Sequence, residues 1–156
     1  MTYLLLKWLH LLGASALLGT GAGIAFFAWF GYRQAMRLGD LGLLRGILRL
    51  TVTADFVFTA SAVVVQPLTG LALWRLAGGG WDSHWLWTVL ALYLGIGACW
   101  LPVVLLQLRL RDLALAAPAT GRLGAHFHAL FRRWFLLGLP AFAGVLALYA
   151  LMLWRW

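Results

Sequence analysis

The chain has 156 residues, 64% of them hydrophobic and 10% charged, with a mean hydropathy of +0.92 and a formal net charge of +8. A soluble domain carries about 25% charged residues, so this composition excludes a water-soluble globule and makes lipid the solvent for most of the surface. The basic excess does not point to a nucleic-acid partner, because most of it falls in two segments between apolar runs.

A bilayer core ~30 Å thick takes about 20 apolar residues per helical span. Four such runs occur: Leu4 to Phe30, Val52 to Leu73, Trp85 to Leu106, and Trp134 to Trp154. The alternating segments of a membrane barrel do not appear. Backbone groups in lipid must be paired within the segment, so each run is predicted to be a helix. The expected fold is all-α: an integral membrane four-helix bundle with kinked spans, residues 1–156 forming a single domain.

The first run holds His10, an ionisable ring in an apolar stretch, six residues past Leu4 and so roughly 9 Å along the helix. Three chemistries suit it: a hydrogen-bonded packing histidine, a metal or haem ligand, or a proton relay. Ala14-Ser15-Ala16 has the small-x-small form of a leader cleavage site, but the apolar run continues to Phe30, which favours a retained helix. Gly19 and Gly23 form a small-xxx-small pair suited to close helix approach.

The segment Gly31 to Leu50 carries Arg33, Arg37, Arg45 and Arg49, interleaved with Leu38, Leu41, Leu43, Leu44, Ile47 and Leu48. It reads as a basic loop able to lie as an interfacial helix against anionic lipid. In the second run Asp55, Thr59, Ala62, Gln66 and Thr69 recur at helical spacing and share one face. A small and polar stripe of this kind is expected to face the bundle interior, either for interhelical hydrogen bonds or as a polar path or the wall of a cofactor pocket.

Ala77 to His84 forms a turn around Gly78-Gly79-Gly80, with none of the flanking features of a phosphate loop. Cys99, the sole cysteine, lies in the third run and forms no internal disulfide. The second basic segment, with Arg109, Arg111, Arg122, Arg132 and Arg133, contains Pro118 and Gly121 and then RLGAHFHALFRRWF, which suits a short amphipathic helix leading into the fourth run. Pro67, Pro102 and Pro140 lie within runs and free the carbonyls of Val63, Ala98 and Leu136.

Nine of the twelve basic residues thus fall in two segments on one side, with only Lys7, Arg75 and Arg155 on the other. By the positive-inside bias the two basic segments are cytoplasmic and both termini outside, in a multi-pass membrane protein. Trp8, Trp74, Trp81, Trp85, Trp87, Trp154 and Trp156 map to the outer interface and Trp29 and Trp134 to the inner one, with Trp100 deeper. The outer tryptophans read as an interfacial belt or as the lining of an outward-facing site. For a haem or metal centre on His10, the candidate companions are His84, the other histidine on the outer side, Met152 as a second axial or soft copper ligand, and Gln66 in the pocket wall.

The stretches KWLHLLGASALLGTGAG, QPLTGLALW, WLPVVLLQLRLR and RRWFLLGLPAF together resemble a bacterial family of predicted integral membrane proteins of unassigned function, over essentially the whole chain. That family in turn resembles the copper-resistance D-type membrane proteins and the small membrane protoporphyrinogen oxidase of haem synthesis. The resemblance implies haem or metal binding by a histidine of the first span, carried over here to His10 in Trp8-Leu9-His10. The expected function is therefore binding of a b-type haem or related porphyrin, in a redox or haem-handling role with a membrane or periplasmic redox partner. The rivals are an accessory or structural subunit without cofactor, and passage of a small solute or copper ion along the stripe; a second copy of the chain, in a homo-oligomer, is a candidate partner under any of these.

The topology has a direct check. Each Lys or Arg near an anionic cytoplasmic leaflet contributes about 1 kcal/mol, so the four arginines after the first run outweigh Lys7. A reporter fused after Trp156 is expected to read as external and one inserted near Pro118 as cytoplasmic. The opposite pair of readings inverts the membrane.

Overall fold

The computed structural model describes residues 1–118 and 123–154. Its elements are α1 (Thr2–Leu38), α2 (Leu41–Ala54), a π-helical turn (Asp55–Ala60), α3 (Ser61–Leu76), α4 (His84–Ala116) and α5 (Ala125–Leu153). Helix α2, the π-helical turn and α3 run on as one rod, Leu41–Leu76, so four helices are long and apolar enough to cross a membrane. The shortest has 29 residues and is about 43 Å long at 1.5 Å per residue, well beyond the ~30 Å bilayer core. All four expected spans are present as parts of longer helices, the fourth ending at Leu153, one residue before Trp154. Gly121, Arg122, Arg155 and Trp156 lie outside the described residues.

The arginine-bearing segment from Gly31 to Leu50 is not a loop. Helix α1 continues past Phe30 to Leu38 and stops at Gly39, whose φ of 66° is the left-handed conformation that closes a helix. Asp40 then caps α2, its Oδ1 accepting the Leu43 N–H at 2.9 Å. This two-residue turn sends α2 back in line with α3 rather than flat along the interface. The reason is packing: Leu41, Leu44 and Leu48 bury themselves in protein, against α1 and α4, and so have no face left for lipid. Leu38 and Leu43 remain exposed.

The core sits at this arginine-rich end. Ala28, Ala35, Leu41, Leu44, Leu48, Leu110, Ala114, Phe127, Leu130, Phe131 and Trp134 form one buried cluster. Tyr32 stacks on Phe131 with centroids 4.0 Å apart, and its hydroxyl is 2.6 Å from Nδ1 of His128 in the first turn of α5. Trp134, expected at the interface, is instead 5% exposed inside this cluster. Arg45 reaches from α2 to the end of α4, where its guanidinium donates to the carbonyls of Ala114 and Ala117. Those carbonyls are orphaned by the helix end, and a cation there also meets the negative pole of the helix dipole.

The terminal end is packed differently. Helix α1 contacts α3 and α5, and α4 contacts α5, while α3 and α4 approach each other mainly through long side chains. The Val63 carbonyl left free by Pro67 accepts the Tyr93 hydroxyl from α4. Tryptophans build the connection between α3 and α4: Trp74 stacks on Trp85 at 5.2 Å, and the indole N–H groups of Trp74 and Trp87 donate to the carbonyls of Gly80 and Trp81. Arg75 lies over the Trp81 ring. Ser83 caps α4 by accepting the Leu86 N–H.

Asp55, Thr59, Ala62, Gln66 and Thr69 are all buried, whereas Val57 and Val64 are 54% and 60% exposed. Single cysteines at Thr59 or Gln66 should therefore react slowly with a lipid-phase maleimide, and cysteines at Val57 or Val64 at least several-fold faster. Equal rates at the four positions contradict this orientation of the helix.

Candidate functional site

Two groups of polar side chains occupy the helical interior. The first joins α1 to α3 near the termini. Each helix places a long polar side chain in a notch left by a glycine of the other. The His10 ring lies over Gly70, where an added Cβ would stand 3.1 Å from Cε1, and the Gln66 amide lies over Gly13, where an added Cβ would collide with Nε2. Gln66 Nε2 donates to the His10 carbonyl at 2.8 Å, and His10 Nδ1 is 2.9 Å from Thr69 Oγ1.

The Thr69 hydroxyl bears on which imidazole nitrogen carries the proton. Its proton is directed at the Val65 carbonyl, 2.8 Å away and one turn back, as is usual for a helical threonine. Having one proton, the hydroxyl accepts from His10, which makes Nδ1 the protonated nitrogen. The ring also hydrogen-bonds the Gln66 backbone, and with Nδ1 protonated Nε2 carries the lone pair. A histidine whose Nδ1–H is held by a second residue and whose Nε2 carries the lone pair has the arrangement of a metal-ligating imidazole.

The other proposed ligands are not brought to this place. His84 is exposed in the first turn of α4, beside Trp81, Asp82 and Trp87. Met152 is 42% exposed near the end of α5. Among the described residues no group of three or more His, Cys, Asp or Glu side chains is gathered. His10 thus stands with Gln66 and Thr69 alone.

The second group lies at the π-helical turn. Thr59, Trp100 and Gln107 face the Asp55 carboxyl. The Trp100 indole donates to Oδ1 at 3.4 Å, and the Trp134 indole donates to Gln107 Oε1 at 3.3 Å. Asp55 has no arginine partner: the only ion pair among the described residues is Arg111 with Asp112. Ala62 separates Thr59 from Gln66, so the two groups are not joined by a continuous run of hydrogen bonds along the stripe. Gln107 was the residue to miss: it is a lone amide in an apolar run, and its one sequence signal is that isolation. Trp100 was legible only as a tryptophan too deep for an interface.

Four long apolar helices with their polar side chains turned inward define a polytopic α-helical membrane protein. Residues 4–156 match the family described as "predicted integral membrane protein (DUF2269)", and the chain belongs to that family. No curated protein and no solved structure matches it.

The reciprocal notches are open to test. In Gly13→Ala the new methyl displaces the Gln66 amide and its bond to the His10 carbonyl is lost. Intramembrane hydrogen bonds are worth ~0.6 kcal/mol on average and up to about 1.7, so thermal unfolding in detergent should shift down by a loss on the order of 1 kcal/mol. Gly19→Ala, where no atom lies within 4 Å of the new methyl, should leave the transition in place.

Proposed function

We propose that this protein binds a b-type haem or a related porphyrin through His10 Nε2, in a redox or haem-handling role. The observation that carries the reading is the fixed tautomer: Thr69 holds Nδ1–H, and the other nitrogen is left as a base. A neutral imidazole of this kind is the common proximal ligand of haem iron. His84 and Met152 lie elsewhere on the molecule, so the proposal is of one axial ligand from this chain. Gly70 supports it by letting the ring lie close to α3 without a Cβ in the way. The distant resemblance to copper-resistance D-type proteins and to membrane protoporphyrinogen oxidase points to the same first-span histidine. Bound there, the group would supply one-electron chemistry, while the chain's part is to hold, orient and seclude it.

The location belongs to the same proposal. Arg33, Arg37, Arg45, Arg49, Arg109, Arg111, Arg132 and Arg133 lie towards one end, against Lys7 and Arg75 at the other. This bias supports a bacterial inner membrane with the termini outside and His10 in the outer half. A partner that exchanges electrons with the site would then come from the membrane or the periplasm.

Protein purified in mild detergent should show a Soret band, either as isolated or after haem is added to the apoprotein. His10→Ala should abolish it with the helical circular dichroism unchanged. Thr69→Val should keep the band and weaken haem affinity about 10–100-fold, the usual effect of removing a residue that holds a ligating histidine. A colourless wild type after haem addition refutes the reading, and a band that survives in His10→Ala assigns the ligand to another residue.

A further inference from the structure

We infer that Asp55, Thr59 and Gln107 form an intramembrane proton-binding site, in which the Asp55 carboxyl takes up and releases a proton through one bound water. The inference is independent of haem at His10.

The argument starts from atoms without partners. Asp55, Thr59 and Gln107 are 6%, 7% and 2% exposed. Asp55 Oδ2, Thr59 Oγ1 and Gln107 Nε2 are each buried, and although Thr59 and Gln107 lie within interaction range of the carboxyl, none of the three atoms closes a well-formed hydrogen bond. Buried polar atoms are nearly always satisfied, and the need is greater in lipid, where no bulk water can substitute. Three such atoms around one carboxyl mark a place where a small polar ligand completes the structure.

Two indoles define what that ligand is. An indole N–H only donates. Trp134 therefore fixes Oε1 of Gln107 as the atom turned towards it, and leaves the Nε2 donors turned towards Asp55. Trp100 likewise occupies Oδ1 as an acceptor, so a proton on the carboxyl sits on Oδ2. The vacant valences are thus one amide donor, one hydroxyl that gives and takes, and one carboxyl oxygen. A metal cation is disfavoured by the amide N–H. A water molecule matches all three: it accepts from Gln107 and exchanges a proton with Oδ2, with Thr59 as the remaining partner.

The charge environment leaves the carboxyl free to change state. On α1, Lys7 and His10 lie towards the termini and Arg33 and Arg37 towards the other end. On α2, Arg45 is bonded to the end of α4 and Arg49 is exposed. On α3, Arg75 lies over Trp81. On α4, Tyr93 holds the Val63 carbonyl, Cys99 is half-buried, Arg109 is exposed and Arg111 pairs with Asp112. None of them is hydrogen-bonded or ion-paired to Asp55. The uncharged state has the proton on Oδ2. When it leaves, it passes to a lone pair of the water, the resulting hydronium hands it on to solvent, and the carboxylate retains the Trp100 N–H with the Gln107 amide turned towards it. The backbone fits such a role. The turn carrying Asp55 and Thr59 is π-helical, a rare geometry that recurs at functional sites. It is flanked by hydroxyl back-bonds from Thr53 to the Arg49 carbonyl and from Ser61 to the Val57 carbonyl.

Infrared difference spectroscopy of the full chain in lipid nanodiscs, recorded between steps of bulk pH, tests this. The protein has four acidic side chains, Asp40, Asp55, Asp82 and Asp112, and all but Asp55 are exposed. A carboxylic C=O band from a buried group should rise and fall with bulk pH, shift in D2O, and disappear in Asp55→Asn. Should that variant fail to fold, the triple variant Asp40→Asn, Asp82→Asn, Asp112→Asn leaves Asp55 as the sole acidic side chain and should keep the band. Gln107→Leu should move both the band and its midpoint pH. A band that ignores bulk pH makes Asp55 a fixed structural acid and overturns the inference, as does a wild type with no such band or a midpoint unmoved by Gln107→Leu.

Discussion

Inside a bilayer a backbone or side-chain polar group has no water to fall back on, and the protein itself has to supply its partner. Much of this structure follows from that constraint. The carbonyl exposed by Pro67 is met by Tyr93 from the facing helix. The open carbonyls at the end of α4 are met by Arg45. Thr53, Ser61 and Thr69 return their hydroxyl protons to carbonyls of their own helices. Tryptophans at the terminal end give their N–H groups to carbonyls of the turn they enclose, or in the case of Trp85 to Leu151 on α5. Against these satisfied groups, three buried side-chain atoms of the described residues stand out: Asp55 Oδ2, Thr59 Oγ1 and Gln107 Nε2.

The same constraint explains why the two ends of the bundle differ. At the arginine-rich end the helices extend beyond the span, and α2 packs its leucines between α1 and α4 to form a core of the kind found in soluble proteins. Water beyond the membrane makes that burial favourable. Within the lipid there is no comparable drive to bury apolar side chains, and contact depends on close approach and on polar pairs. Helices α1 and α3 meet in this way, through the two glycine notches and the His10, Gln66 and Thr69 contacts. The rigid end thus holds the helices in register, and the polar pairs decide what is held between them.

His10 and Asp55 illustrate two uses of an ionisable group under this regime. His10 is a ring given direction: Nδ1 is tied to Thr69 and the ring is seated over Gly70. Asp55 is held by neutral donors without a cation, so its state is not dictated by a permanent partner. With Ala62 between them, the two are separate polar groups on one helix face.

Composition and periodicity alone determined the four spans, the all-α class and the inward face of the second span, because each depends on local physics: the thickness of the bilayer, and the angle between successive residues of a helix. Gly39 and Asp40, which end one helix and cap the next in the structure, lie among arginines that read in the sequence as a loop. Only the tertiary structure decided that α2 is a packed part of the core, because the partners of Leu44 and Leu48 come from α1 and α4. The same holds for the sites. The stripe residues were visible by their spacing, but Gly13, Gly70, Trp100 and Gln107 take their roles from contacts with other helices. A lone glycine or glutamine in an apolar run acquires meaning only when the facing helix is in place, since what it does depends on the atom opposite it.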